Sequence, residues 1–374
     1  INYQDDFLDN TEELHRLDSV MITNSSYSNG CNGGYTLITQ IVDGMAHRNP
    51  SLLHCFSAGN SNNLDCGYGA GTQWGNITGG HKIGKNVITT ANLMINGIVD
   101  NSSSRGPTKD GRMKPEVSAR GTNEVSTDIN NTYQVFGGTS AASPGVAGTS
   151  ALLYQSYRRD HNGENPEAAL IKSCLMNTAS DLGTPGPDYV YGCGVIDALR
   201  AYQLLHENRY RKVQVEHNKE YEFEMTVPDH CAAAKFMIYW EESESSINAR
   251  KVLINDIDMY VITPSGTKVL PLVLNPTPDP VILAAGASPG VDTLNNFEQV
   301  IIPFPGPGKY KVVLQGKFLP DQEVGTYLLF DFPGDRLQIT SPAGGEQYST
   351  LESTYFYFNS YHNDSIRIDL STDG

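Results

Sequence analysis

The chain has 374 residues, long enough for two or three domains, and carries 42 acidic against 26 basic residues, a formal net charge of −16. Such an acidic surplus repels phosphate backbones and anionic lipid surfaces, which argues against nucleic acid or membranes as partners. No apolar run approaches the length of a membrane span.

The chain opens at Ile1 without a leader pattern and stops within LSTDG, so both ends read as cut. Near the start, Asp5, Asp6 and Asp9 in YQDDFLDN read as a solvated helix start. Residues 19 to 206 then alternate strand and helix signals. SVMITNSS (19–26), LLHCFSAGN (52–60) and NVITTANL (86–93) are short apolar runs, the first two ending in small polar residues. Helical spacing marks 36–48, the stretch after Ser140, 166–179 and 195–205. Short strands leading into helices imply an α/β region with a mostly parallel sheet and flanking helices.

From about residue 208 the pattern alternates apolar and polar, with Pro-Ser-Gly and Pro-Gly turns. That predicts an antiparallel β domain, a barrel or a sandwich, ending near Phe332. Residues 334–374 read as the start of a further β module. The expected units are therefore 1–207, 208–333 and 334–374. The β unit, with its own alternating strands, is expected to be stable alone, whereas 1–207 is expected to need strands from elsewhere. Of six cysteines, Cys31 and Cys66 lie in Gly/Asn-rich loops that suit a disulfide, but the sequence leaves the pairing open. Asp256 and Asp258 project to one face of a strand, and Asp292, Asn295 and Glu298 offer further oxygens. These residues read either as calcium ligands or as a solvated, lysine-paired face. No organic cofactor motif stands out.

The stretch FGGTSAASPGVAGTSALLYQ (136–155) places Ser140 beside a glycine turn at a helix start, with Pro144 expected in the first helical turn. Free N–H groups and the positive end of the helix dipole converge there. The residues alone leave two roles open for this hydroxyl, a cap or a nucleophile.

GTSAASPGVAG (138–148) resembles the nucleophile motif of subtilisin-like serine proteases, with Ala141 where Met is common. SAGNS (57–61), SSSRGPTKDGRMKPEV (102–117) and YGCGVIDALRAY (191–202) resemble further segments of that family in the same order. INDIDMYVITPSG, NNFEQV and PGPGKYKVVLQG resemble the C-terminal β-barrel of certain alkaline subtilases. The resemblance implies a secreted or cell-surface endopeptidase acting on polypeptides, with Ser140 as nucleophile and Asn60 as side-chain oxyanion donor. It implies substrate-binding positions at Ser25, Ser26, Tyr27, Ser57, Gly59 and Thr139. The chemistry agrees: a Ser hydroxyl needs a His to take its proton and an Asp to orient that His, and the oxyanion needs donors.

The family's Asp-Ser/Thr-Gly and His-Gly-Thr segments do not occur here. The Asp and His are therefore expected from an N-terminal segment outside this chain, as a bound second polypeptide or a lost part of the precursor, and the chain by itself is expected to be inactive. Two further departures are Tyr27, where the family has Gly, and Ala119-Arg120-Gly121 in place of Ala-Pro-Gly. They keep a second reading open, a catalytically inactive scaffold or adhesion protein on the same fold.

Overall fold

Four short apolar runs pair into a parallel sheet. The structure, a computed structural model, describes residues 5–28, 30–335, 337–342, 347, 354–359 and 367–368. Helix α1 (Asp5–Asp18) leads into β1 (Ile22–Ser25), α2 (Leu37–Arg48), β2 (Leu53–Ser57), β3 (Ile88–Leu93) and β4 (Val117–Arg120). The sheet order is β1-β2-β3-β4, with Ile22 opposite Leu53, Cys55 opposite Ile88 and Thr90 opposite Val117. Both faces are covered, so β2 and β3 are buried throughout. Period-2 alternation divides β2: Leu53 and Cys55 join the core under the later helices, while Phe56 packs with Val42 of α2 and Val87 on the other face.

An exposed hairpin follows, β5 (Glu124–Asp128) and β6 (Thr132–Phe136), which the sequence pattern did not reveal. Then come α3 (Thr139–Asp160), α4 (Ala168–Thr178) and α5 (Ala198–His206). Ala142, Val146 and Leu153 of α3 pack on Leu53, Ile88 and Val117 of the sheet. Pro144 is the sixth residue of α3, not a first-turn residue as expected. Lacking an N–H, it leaves the carbonyl of Ser140 without its helical donor, and the Ser26 hydroxyl donates to that oxygen at 3.1 Å.

The next strands are β7 (Tyr210–Glu216), β8 (Glu220–Val227), β9 (Ala233–Trp240), β10 (Asp256–Ile262) and β11 (Lys268–Val269). After β12 (Leu272–Val273), the short α6 (Pro280–Ala284) and β13 (Ser288–Pro289) come β14 (Phe297–Pro303), β15 (Gly308–Phe318) and β16 (Glu323–Asp331). They form two four-stranded antiparallel sheets, β11-β10-β15-β8 and β14-β9-β16-β7. Phe236, Ile238, Met259, Val312 and Leu328 fill the space between them, so of the two architectures left open by the sequence this is the sandwich.

Strand β9 is buried on both faces. Its even residues face the sandwich core, whereas Met237 and Tyr239, with Phe297, Tyr327 and Leu329, belong to the same apolar cluster as α3, α4 and the parallel sheet. The sandwich therefore shares that face with the α/β part of the chain. Most of the expected third module lies outside the described residues. Within them, β17 (Gln338–Ser341) pairs antiparallel with β18 (Tyr357–Asn359).

Candidate active site

The C-terminal ends of β1 and β2 open into the segments Ser26–Tyr27 and Ala58–Asn60, and the N-terminus of α3 lies across both. Gly138, with φ 93°, precedes α3 and allows the chain to turn there. A side chain at Gly138 would sit 2.7 Å from Asn60 Nδ2, so only glycine permits this approach. Thr139 locks the corner: its N–H and its hydroxyl both donate to Asn60 Oδ1, at 3.0 and 2.9 Å. The same hydroxyl accepts from the Gly59 N–H at 3.1 Å. With Oδ1 occupied, Nδ2 is the donor end of the exposed Asn60 that remains for a substrate.

Ser140 is half-buried at the second position of α3, where a backbone N–H has no intrahelical partner. Its hydroxyl donates to the Ser26 carbonyl at a long 3.4 Å. Ser143, one turn on, donates to Asn24 Oδ1 at 2.7 Å and ties α3 to the end of β1. The structure thus brings together Ser26, Gly59, Asn60, Thr139 and Ser140. Ser25, Ser57 and Thr139 are buried, so their side chains support the cleft from beneath, while Ser26, Tyr27 and Gly59 are half-exposed on its rim.

None of the described histidines hydrogen-bonds Ser140. His54 is buried, shares a 2.7 Å hydrogen bond with Thr23, and is pushed by burial down to about 4. His81 is buried against Phe56 and Tyr27 and is likewise pushed down to about 4, mainly by burial. Others are engaged elsewhere, such as His206 with Asp160 and His217 with the Leu319 N–H. No described carboxylate bonds Ser140 either.

The expected calcium residues share one region, where Asp258 Oδ1 is buried without a hydrogen-bond partner. Asp256 faces Lys251 at 3.5 Å and Asp258 faces Lys317 at 3.6 Å. Asp292 accepts from the backbone of Leu294 and Asn295 and from the Asn295 side chain. Glu298 accepts from the Met259 and Asp292 N–H groups, and burial holds its carboxyl far above the usual range. Among the described residues no three His, Cys, Asp or Glu side chains stand in metal-holding geometry.

Sequence reasoning missed a set of buried lysines. Lys85 pairs with Glu242 at 2.8 Å, both side chains fully buried. Lys114 and Lys172 converge on Glu116, whose other oxygen accepts the Thr89 N–H at 2.8 Å. Lys82, also fully buried, lies directly behind Gly59. Nothing in the residue types distinguishes these lysines from surface ones; their burial follows from sheet and helix packing on all sides. The disulfide that the loops suit is formed between Cys31 and Cys66, while Cys55, Cys174, Cys193 and Cys231 are buried thiols.

The profile of the Subtilase family matches residues 7–194, half of the chain. The C5a peptidase of Streptococcus pyogenes is 33% identical over 145 residues, which cover 36% of this chain and 12% of that protein. The PII-type proteinase of Lactococcus lactis subsp. cremoris is 33% identical over 124 residues, 28% of this chain and 6% of that protein. The chain thus spans a small part of the length of these relatives. Among solved structures, the Patellamide maturation protease PatA aligns at 19% identity with a TM-score of 0.43, covering 52% of this chain and 66% of that one.

Proposed function

Because the chain belongs to the subtilase family, we propose that it is the nucleophile-bearing part of a secreted serine endopeptidase that cleaves polypeptides. The observation that carries this reading is the corner at the start of α3, where Thr139 fixes Asn60 beside the Ser140 hydroxyl. In this reading Ser140 attacks the scissile carbonyl, and the developing oxyanion takes hydrogen bonds from Asn60 Nδ2 and the Ser140 N–H. The Asp and His come from a segment outside these residues. Neither of the two buried histidines, His54 and His81, suits the base: burial makes both imidazoles weak proton acceptors, and their bonds and ring contacts tie them to other residues. The Cys31–Cys66 disulfide supports an oxidising, extracellular setting. Calcium at Asp256, Asp258 and Asp292 has no part in this reading.

Incubating the complete gene product with an active-site fluorophosphonate tests it. Label on Ser140, abolished by Ser140→Ala, is the expected result; a folded complete protein that takes no label would refute the reading. The competing reading is a non-catalytic scaffold, favoured by Tyr27 at the cleft rim and by Arg120, which pairs with Glu124 at 2.8 Å on the exposed side. An Asp-Thr/Ser-Gly and a His-Gly-Thr segment encoded upstream would reject it.

A further inference from the structure

Lys82 is the one buried lysine among the described residues whose ammonium has no hydrogen-bond partner. Lys85, Lys114 and Lys172 have carboxylates, and Lys235 donates to the Ala179 carbonyl at 2.7 Å. Burial alone pushes the Lys82 amine down to about 7. An uncompensated buried ammonium is costly, and in a folded protein it calls for a reason.

Its position supplies one. Lys82 Nζ lies 3.6 Å from the point where a side chain on Gly59 would begin, and Ser104 Oγ lies 3.0 Å from that point. Gly59 is the residue before Asn60, so only a bare Cα stands between this ammonium and the strip of backbone that faces the substrate. The preceding residue, His81, reaches under the opposite rim: its ring lies 4.7 Å from that of Tyr27 and hydrogen-bonds the Tyr27 backbone. The His81–Lys82 turn therefore packs behind both the Ser26–Tyr27 and the Gly59–Asn60 segments.

We propose that Lys82 makes the space between these two segments select glutamate as the residue before the scissile bond. The inference rests on the peptidase reading of Ser140. With the scissile carbonyl held between Ser140 and Asn60, the acyl-side side chain enters between the two segments and ends at Lys82. A carboxylate converts the orphaned ammonium into a charge-assisted pair shielded from water. Leucine or glutamine leaves the cation uncompensated, and aspartate is one methylene shorter. Tyr27, half-buried on the rim, swings aside to admit the side chain. The net charge of −16 opposes acidic peptides at long range, so selection arises in the pocket and not from steering.

Binding of product-like peptides requires no catalytic base and tests this directly. Fluorescent Ala-Ala-Pro-Glu, Ala-Ala-Pro-Gln and Ala-Ala-Pro-Leu are titrated by anisotropy into the complete protein, carrying Ser140→Ala to prevent turnover. The glutamate peptide is expected to bind about tenfold tighter or more than the other two. Lys82→Met is expected to erase or reverse that order. Equal, weaker or absent binding of the glutamate peptide overturns the inference, and the unsubstituted pocket decides this even if Lys82→Met fails to fold. Glutamate selectivity without fluorophosphonate labelling of Ser140 would uphold the pocket and sink the catalytic reading. Labelling without selectivity would do the reverse.

Discussion

Asn60 and Lys82 place opposite demands on neighbouring parts of the fold. Asn60 is held by Thr139 through two hydrogen bonds, so its amide is pre-oriented before substrate arrives. Asn60→Ala in the complete protein is expected to lower kcat by about 10²- to 10³-fold with KM little changed, as read from steady-state kinetics. A change confined to KM would place Asn60 in ground-state binding instead. Lys82 destabilises the fold that carries it. Its amine titrates at about 7 in the folded protein against the usual 10.5, so the unfolded chain binds more protons between those values. Stability owed to this residue therefore rises as pH climbs from about 7 to 10.5 and is lowest below 7. Lys82→Met is expected to raise the melting temperature most below pH 7, by a gain on the order of a few kcal/mol, and the gain shrinks toward pH 10. A gain independent of pH would show that Lys82 is not a buried cation.

At the scale of elements, the cleft is assembled from loops that would otherwise be loose. The segment after β1 and the long connection after β2 are joined by Cys31–Cys66, 35 residues apart in sequence. Closing a loop of that length removes unfolded-state entropy worth about 3 to 4 kcal/mol. Reduction, or Cys31→Ser with Cys66→Ser, is expected to lower the denaturant midpoint accordingly, with the slope as the check that both states are otherwise unchanged. At the end of β4, a side chain on Gly121 would meet the Ala142 N–H of α3 at 2.4 Å. Gly121→Val is accordingly expected to push α3 away from the sheet and to abolish Ser140 labelling before it unfolds the protein, with labelling compared against circular dichroism.

Across the whole molecule, the sandwich is docked through a buried, partly charged interface. Lys85 meets Glu242, Gln299 donates to Asn177 Oδ1 at 3.0 Å, and Arg200 and Arg209 both pair with Asp331. Met237, Phe297 and Leu329 lie in the shared apolar cluster. Exposing each would forfeit about 1.5 to 3 kcal/mol, together much of a typical domain's stability of about 5 to 15 kcal/mol. Residues 208–333 produced alone are expected to melt well below the intact chain and to be cut rapidly by added protease. An isolated fragment as resistant as the intact protein would show that the two units fold independently.

The alternating strands and helices of residues 19–206 and the antiparallel character after 208 were legible from sequence, because periodicity is a local signal, whereas Ser140 and Asn60 were singled out through the family resemblance of their motifs. Even Pro144 was visible, though its helical position was not, since which carbonyl it frees depends on where α3 begins. What tertiary structure alone decided is burial. Met237 and Phe236 look alike in the sequence, yet one faces α4 and the other the sandwich core. Lys82 and Lys109 are both lysines in Gly-rich loops, but only the first is walled in, behind Gly59, with no charge to meet it. Desolvation depends on what every other segment packs around a side chain, and no local stretch of sequence carries that information.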